Sequence, residues 1–356
     1  MKKITRRRFI ESVPATGSFI FLSRKGLGQT VSANQITIES CWSNPPREFS
    51  QAPFWFWNDE LSEREILRQL KDFCDHGIYG FVIHPRAGLP KDTGWMSERM
   101  IHFMRYAIKQ AKMLDMWVVL YDEGMYPSGS ASGQVVAENP AFRPRGLFAI
   151  DLNEVNPGEE NSGFRINENG HPAPDENQNL VGIFSRESDG HRIAVLDRFI
   201  REGYSSIRGL HFVEENPSRR SDKKEVDEEN PPLADILNPE AVQAFIRLVY
   251  QRFYDEFSDY FGTTIKAVFT DEPSFLGRNS EPGAQPGNAD VLGFVNKWLG
   301  YDFTPHLPKL FYSDEPESEK YQKGYNRALE ARLEQTYYEP ISKWCKIGRA
   351  SCRERV

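Results

Sequence analysis

The sequence predicts an α/β fold, an incomplete (β/α)8 TIM-type barrel with a β-rich insertion after the third strand. Three observations point there. Short apolar runs alternate with amphipathic helical stripes, the rhythm of parallel strands covered by helices. Polar residues stand at the C-terminal end of every such run, the face on which barrel enzymes carry their sites. The glycine-rich turn of a dinucleotide fold and the P-loop are both missing, which removes the main open-sheet alternatives.

Composition narrows the class. The 356 residues are 39% hydrophobic and 27% charged, which excludes a disordered tail, a fibre or a coiled-coil rod. A net charge of −7 argues against nucleic acid held by a broad basic face. No apolar run reaches the roughly 18 residues that span a bilayer, so no stable membrane anchor is expected. Four cysteines without CxxC or Cys/His ligand spacing make neither a disulfide framework nor a zinc site.

The two ends are set apart from the fold. Thr5-Arg6-Arg7-Arg8-Phe9-Ile10, an apolar stretch from Val13 to Leu22 and the small-residue site Val31-Ser32-Ala33 resemble a twin-arginine export signal over 1–33. Export would place the protein in the periplasm or outside the cell. The last ten residues, 347–356, resemble a translated sequencing adapter, so the natural chain is expected to continue past Lys346.

The first part of the expected barrel is 34–142. Pro53-Phe54-Trp55-Phe56-Trp57 reads as a strand buried on both faces, ending at Asn58-Asp59. Ser62-Glu63-Arg64-Glu65 is a capping box ahead of the stripe Ile66, Leu67, Leu70, Phe73 and Cys74. Tyr79 to Ile83 is the second strand, ending at His84-Pro85-Arg86. Ser97 caps a helix with Ile101, Met104, Ile108 and Ala111 on one side. Trp117 to Tyr121 is the third strand, ending at Asp122-Glu123, and the loop Gly124-Met125-Tyr126-Pro127-Ser128-Gly129 follows.

Over 143–235 the period changes to short alternating segments separated by Gly, Pro and Asn, the β-rich insertion. Within it, Glu214 to Asn230 is charge-dense and expected to be solvated. The βα rhythm resumes over 236–346. Asn238-Pro239 starts a helix with the stripe Val242, Phe245, Ile246, Val249, Phe253 and Phe257. Ile265 to Phe269 is the fourth strand, ending at Thr270-Asp271-Glu272-Pro273. Val291, Phe294, Val295 and Trp298 mark another helix, and Glu319 to Trp344 a last one with Pro340 as a kink. Four strands are half a barrel, with an unpaired edge and a cut core, which again points to a longer chain.

Two acidic pairs thus end two strands. Carboxylates on different strands of one face can flank a glycosidic bond, one protonated and one ionised. Asp122, Glu123 and Asp271 also have the oxygen chemistry of a Ca²⁺ site, so metal binding competes with catalysis. His84 alone is more often a hydrogen-bonded structural histidine than a catalyst, and Trp57 is a core residue or a stacking platform. Ser128 lacks the G-x-S-x-G context of a hydrolase nucleophile.

In order along the chain, Pro53-Phe54-Trp55-Phe56-Trp57-Asn58, Phe81-Val82-Ile83-His84-Pro85-Arg86-Ala87-Gly88-Leu89, Leu120-Tyr121-Asp122-Glu123 with Tyr126-Pro127-Ser128-Gly129, and Phe269-Thr270-Asp271-Glu272-Pro273 resemble bacterial glycoside hydrolases related to the α-L-rhamnosidase family numbered 106. The resemblance implies a catalytic barrel, glutamate catalysis with inversion, a carbohydrate substrate and, in some members, a calcium ion. On it, Glu272 is the acid and Glu123 the second carboxylate, with Asn58, His84, Arg86, Asp122, Asp271, Trp57 and Tyr126 binding substrate. Related sequences carry a further glutamate on the next strand, beyond Lys346, so the chain as written is expected to lack a catalytic partner. The alternative is a non-catalytic barrel that binds carbohydrate or metal.

Overall fold

In a computed structural model the chain divides into two compact units, Met1–Pro45 and Pro46–Val356. The structure describes residues 42, 45–156, 160–161, 164–210 and 230–346, which lie almost entirely in the second unit. The twin-arginine segment, its cleavage site, nearly all of the charge-dense stretch and the 347–356 tail lie outside the described residues.

The protein is α/β. Strands β1 (Phe54–Trp57), β2 (Gly80–Pro85), β3 (Trp117–Tyr121) and β9 (Ile265–Phe269) form a parallel sheet in the order β1-β2-β3-β9. Phe54 stands opposite Val82, Val82 opposite Val119 and Val119 opposite Ala267, with the register between β3 and β9 shifting at Val118/Val119. A doubly wound sheet reverses strand order at a switch point; this sheet does not. Among the described residues it is open at both edges, and no barrel closes.

Helices cover one face. α1 (Glu63–Asp75) and α2 (Glu98–Met113) link successive strands. The long helix begins as α3 (Pro239–Phe245), widens to a π-helix over Ile246–Gln251 and ends as α4 (Arg252–Phe257). Trp55, Trp57, Phe81, Ile83, Val118 and Leu120 on the sheet share one buried cluster with the stripes of these helices. The caps are chemical. Ser62 accepts from the Glu65 N–H, and Asn238 from the Glu240 N–H, satisfying donors the helix leaves free. The Glu65 carboxylate does not close the expected box, because Arg68 and Gln69 occupy it instead.

The opposite face corrects one expectation. β1 is not buried on both sides, for its burial alternates: Phe54 and Phe56 remain 47% and 45% exposed while Trp55 and Trp57 are buried. Among the described residues no helix covers β1 on this face, so the period-2 pleat sets which of its residues meet solvent.

The insertion forms an antiparallel sheet of β4 (Arg145–Asp151), β7 (Gln178–Ser185) and β8 (Arg192–Phe199), with a small hairpin of β5 (Glu160–Asn161) and β6 (Phe164–Arg165) beside it in sequence. β10 (Gln285–Pro286), from the loop after β9, pairs with β4 and joins the sheet. One face of β4 and β8 (Leu147, Ile193, Val195) packs against α5 (Ala289–Leu299) and α6 (Ser318–Leu333) through Val291, Leu292, Val295, Tyr325 and Leu329. Those helices were expected to continue the barrel wall. They cover the insertion instead, because alternation in β4 and β8 yields apolar residues on two faces and each needs a cover. Trp298, expected on the buried stripe, is 46% exposed. After α6 the helix widens over Glu334–Tyr338, just ahead of Pro340, and Tyr337 reaches the first core.

Candidate active site at the strand ends

The C-terminal ends of β3 and β9 are tied together by one buried hydroxyl. Ser128 Oγ donates to Asp122 Oδ1 at 2.6 Å and accepts from the Asp271 N–H at 2.9 Å, while the Ser128 N–H donates to the Asp271 carbonyl at 2.8 Å. The other Asp122 oxygen accepts from Tyr250 of the long helix at 2.7 Å. Burial pushes the Asp122 carboxyl up to about 6, against the hydroxyl donors that favour its ionised form. Asp122, expected to bind substrate, is fully buried and orients Ser128 instead.

Glu123 is also fully buried, and it holds the loop that follows it. Oε1 accepts from the N–H groups of Gly124, at 3.0 Å, and Ser132; Oε2 accepts from Ser130 at 2.9 Å and Ala131 at 2.8 Å. Ala131, Ser132 and Gly133 are left-handed in succession, with φ of +50°, +54° and +83°. Successive N–H groups in such a turn form an anion nest, and Glu123 fills it from within the chain. Burial pushes its carboxyl up to about 8 while the backbone donors pull it down. The donors decide its state, since a proton on either oxygen would face an N–H rather than an acceptor. Glu123 therefore is not placed as the second catalytic carboxylate. Nor do Asp122 and Glu123 fit a calcium ion, because their oxygens already accept from hydroxyls and N–H groups.

Glu272 has the opposite setting. It is exposed, its backbone is left-handed at φ +46°, and no described residue bonds to its carboxylate. A non-glycine residue in that region is strained by ~1–2 kcal/mol and persists only where its surroundings impose it. Here they do. The preceding Asp271 is clamped by Ser128 through its backbone and by Tyr121, whose hydroxyl donates to Oδ2 at 3.3 Å. Thr270 bonds the buried Tyr337 hydroxyl at 2.8 Å. Burial first, and Asp271 after it, push the Tyr121 phenol far above its ordinary value, so it stays a donor.

His84 stacks on Tyr121 at 4.2 Å and meets Phe54 and Phe56 at 5.0 and 5.2 Å. Its Nδ1 lies 2.9 Å from the Pro85 carbonyl, which only accepts, so Nδ1 carries the proton and Nε2 a lone pair. Burial pushes its pKa down, which keeps the ring neutral. Arg86 lies over Phe56 at 4.8 Å and beside Tyr126 at 5.7 Å. Asn58 is exposed at the end of β1, beside a cavity of about 370 Å³ lined also by Asp59, Glu65 and Gln69. Trp57 touches that cavity but is only 2% exposed, packed edge-on to Trp55 at 5.5 Å; it is core rather than a sugar platform.

The structure thus brings His84, Arg86, Tyr126, Asp271 and Glu272 to one end of the sheet, and withdraws His84 there, with Trp57, Asp122 and Glu123, from solvent. It adds Phe56, Tyr121, Ser128, Arg208 and Arg278. Phe56 had no signal, since the aromatic run of β1 carries no polar alternation. Arg208 had none, since it reaches Tyr126 from across the insertion. A separate group, Asp151, Glu154 and His191, has ligand-type atoms within 4.8 Å of one another, but it lies on the antiparallel sheet and His191 already pairs with Asp151 at 2.7 Å. No protein-family model matches the chain, and no curated protein matches it.

Proposed function

We propose that this chain is a glycoside hydrolase whose four parallel strands are part of a (β/α)8 wall, and that Glu272 is its general acid. The observation that carries the proposal is Glu272 itself: an exposed carboxylate that no described residue bonds, on a strained turn held by a buried network, at the strand-end face. Strain of that kind gathers at functional sites. In the reaction, the Glu272 carboxyl gives its proton to the leaving oxygen as the C–O bond breaks. Water adds at the anomeric carbon, and a second carboxylate takes its proton. That partner must stand about 5–10 Å across the bond. Among the described residues the half-buried Asp271 is the accessible candidate.

The ordered motifs favour a polysaccharide bearing terminal α-L-rhamnose, and the twin-arginine segment favours an exported enzyme. The full chain should release sugar from rhamnosyl glycans. Glu272→Gln should lower kcat by ~10²–10⁴-fold, the usual scale of general acid catalysis, with unchanged melting. A variant turning over at the wild-type rate would refute the assignment. One observation favours a second reading, a barrel that binds carbohydrate without cleaving it: Glu123 is committed to its own loop, which leaves Asp271 as the accessible partner among the described residues. Calorimetry showing intact sugar bound and never turned over would select it.

A further inference from the structure

Three arginines surround a single ring at the strand-end face. The guanidinium carbons of Arg86, Arg208 and Arg278 lie 5.7, 5.9 and 5.8 Å from the centre of the Tyr126 ring. Arg208 Nη1 also donates to the Tyr126 hydroxyl at 2.9 Å. No two of these cations are therefore more than about 12 Å apart, close to the range over which salt screens charge.

The cluster is set by backbone as well as by side-chain rotamers. The Arg86 N–H donates to the Trp57 carbonyl at 2.9 Å, which fixes the start of the loop after β2. The Arg208 N–H donates to the Tyr126 carbonyl at 3.1 Å. Arg278 bonds Ser206 in both directions, at 2.9 and 3.0 Å. The Gly88 N–H donates to the Leu210 carbonyl at 3.3 Å, so four segments distant in sequence are stitched together, and three of them deliver an arginine to the ring of the fourth.

None of the three is ion-paired with a described residue. Elsewhere the chain pairs its arginines: Arg145 with Asp197, Arg198 with Glu281, Arg252 with Glu98 and Glu256. Asp271 lies near His84 on the same face, but its Oδ2 accepts from Tyr121 and it forms no ion pair with the three arginines. A ring attracts cations over its face, yet among the described residues one tyrosine and the neighbouring Phe56 leave three mutually repelling charges without an anion. Guanidinium forks match planar or tetrahedral oxyanions with paired N–H donors.

We propose that Arg86, Arg208 and Arg278 form an anion subsite around Tyr126, and that the saccharide bound at this face carries an oxyanion, as a uronate carboxylate or a sulfate ester. The exposed ring of Phe56 and the accessible part of the half-buried Tyr126 ring supply the stacking surface beside it. This deepens the hydrolase proposal and rests on its assignment of the face to carbohydrate.

Calorimetry on the full chain tests it with three probes: trigalacturonate, a sulfated galactan trisaccharide and neutral galactotriose. At least one acidic probe should bind ten-fold or more tightly than the neutral one, and the one that does identifies the oxyanion. Raising salt should shrink the preference. Arg278→Gln, a change at an exposed side chain that pairs with no acid among the described residues, should reduce it at least five-fold, and Arg208→Gln likewise. Equal affinity for all three probes, binding of none, or a preference unchanged in Arg278→Gln would overturn the subsite. The readout is binding, so a missing charge preference sinks this inference alone, whereas wild-type turnover in Glu272→Gln sinks the hydrolase proposal alone.

Discussion

Glu123→Gln separates a structural glutamate from a catalytic one. The substitution keeps one oxygen and replaces the other by an amide NH₂. Whichever way the amide turns, two of the four N–H groups now bound to Glu123 face a donor. Each buried N–H left unmet costs roughly 1–3 kcal/mol, so the loss should be about 2–6 kcal/mol. A domain has about 5–15 kcal/mol in total, so the variant should unfold at markedly lower urea. The assay is urea denaturation followed by far-UV circular dichroism, comparing midpoints at equal slope. The left-handed residues Ala131 and Ser132 make the prediction sharper, since their strain is borne only while the carboxylate draws their N–H groups inward. A shift below about 0.5 kcal/mol would refute the reasoning, for it would mean the nest needs no anion. Lost turnover with unchanged stability would return Glu123 to the catalytic role expected from sequence.

Stability should also depend on pH in a definite sense. Burial raises the folded-state pKa of Asp122 and of Asp235 to about 6 from 3.8, so the folded chain binds more protons than the unfolded one between those values. Their contribution is present below pH ~4 and is lost as pH rises through about 6, on the order of 3 kcal/mol for each. Glu315 acts the other way. Despite its burial, the Ser188 hydroxyl and the N–H groups of Glu187 and Ser188 hold it at about 2, so its contribution disappears as pH falls from ~4 toward 2. Urea midpoints measured across pH should therefore peak near pH 4–5, and a steady rise to pH 8 would contradict this. Glu281 is 2% exposed and accepts from Arg198 at 2.6 and 3.1 Å and from Arg201 at 2.6 and 3.0 Å. Glu281→Gln should cost about 3–5 kcal/mol by taking from the buried Arg198 the carboxylate charge it pairs with; a melting curve within a degree of wild type would say otherwise.

Much of the fold is legible in the sequence because periodicity reports burial directly. The stripe Val242, Phe245, Ile246, Val249, Phe253 and Phe257 is buried residue for residue, even through the π-helical turn. Pro53 to Trp57 shows the limit. Four consecutive aromatics carry no polar alternation, so nothing in the sequence says that Phe56, and not Trp57, faces the site. The path of α5 and α6 onto the insertion was hidden too, because their apolar stripes fit either sheet.

At the site, strand-end chemistry is readable but its orientation is not. Asp122-Glu123 and Asp271-Glu272 look alike as strings. What separates Glu123 from Glu272 is a nest made by Ala131, Ser132 and Gly133, and neither alanine nor serine announces a left-handed backbone. Ser128 was set aside as a nucleophile, and its part as a clip between Asp122 and Asp271 depends on a contact across 143 residues. The arginine cluster is assembled from still more distant segments.

The central claim, that Glu272 protonates the departing oxygen, is tested most directly by leaving-group dependence. A 2,4-dinitrophenyl glycoside leaves without a proton, whereas an alkyl glycoside of the same sugar needs one. Glu272→Gln should cost at least a hundred-fold in kcat/KM on the alkyl substrate and less than ten-fold on the dinitrophenyl one. Equal losses on both substrates, or no loss on either, would contradict the account.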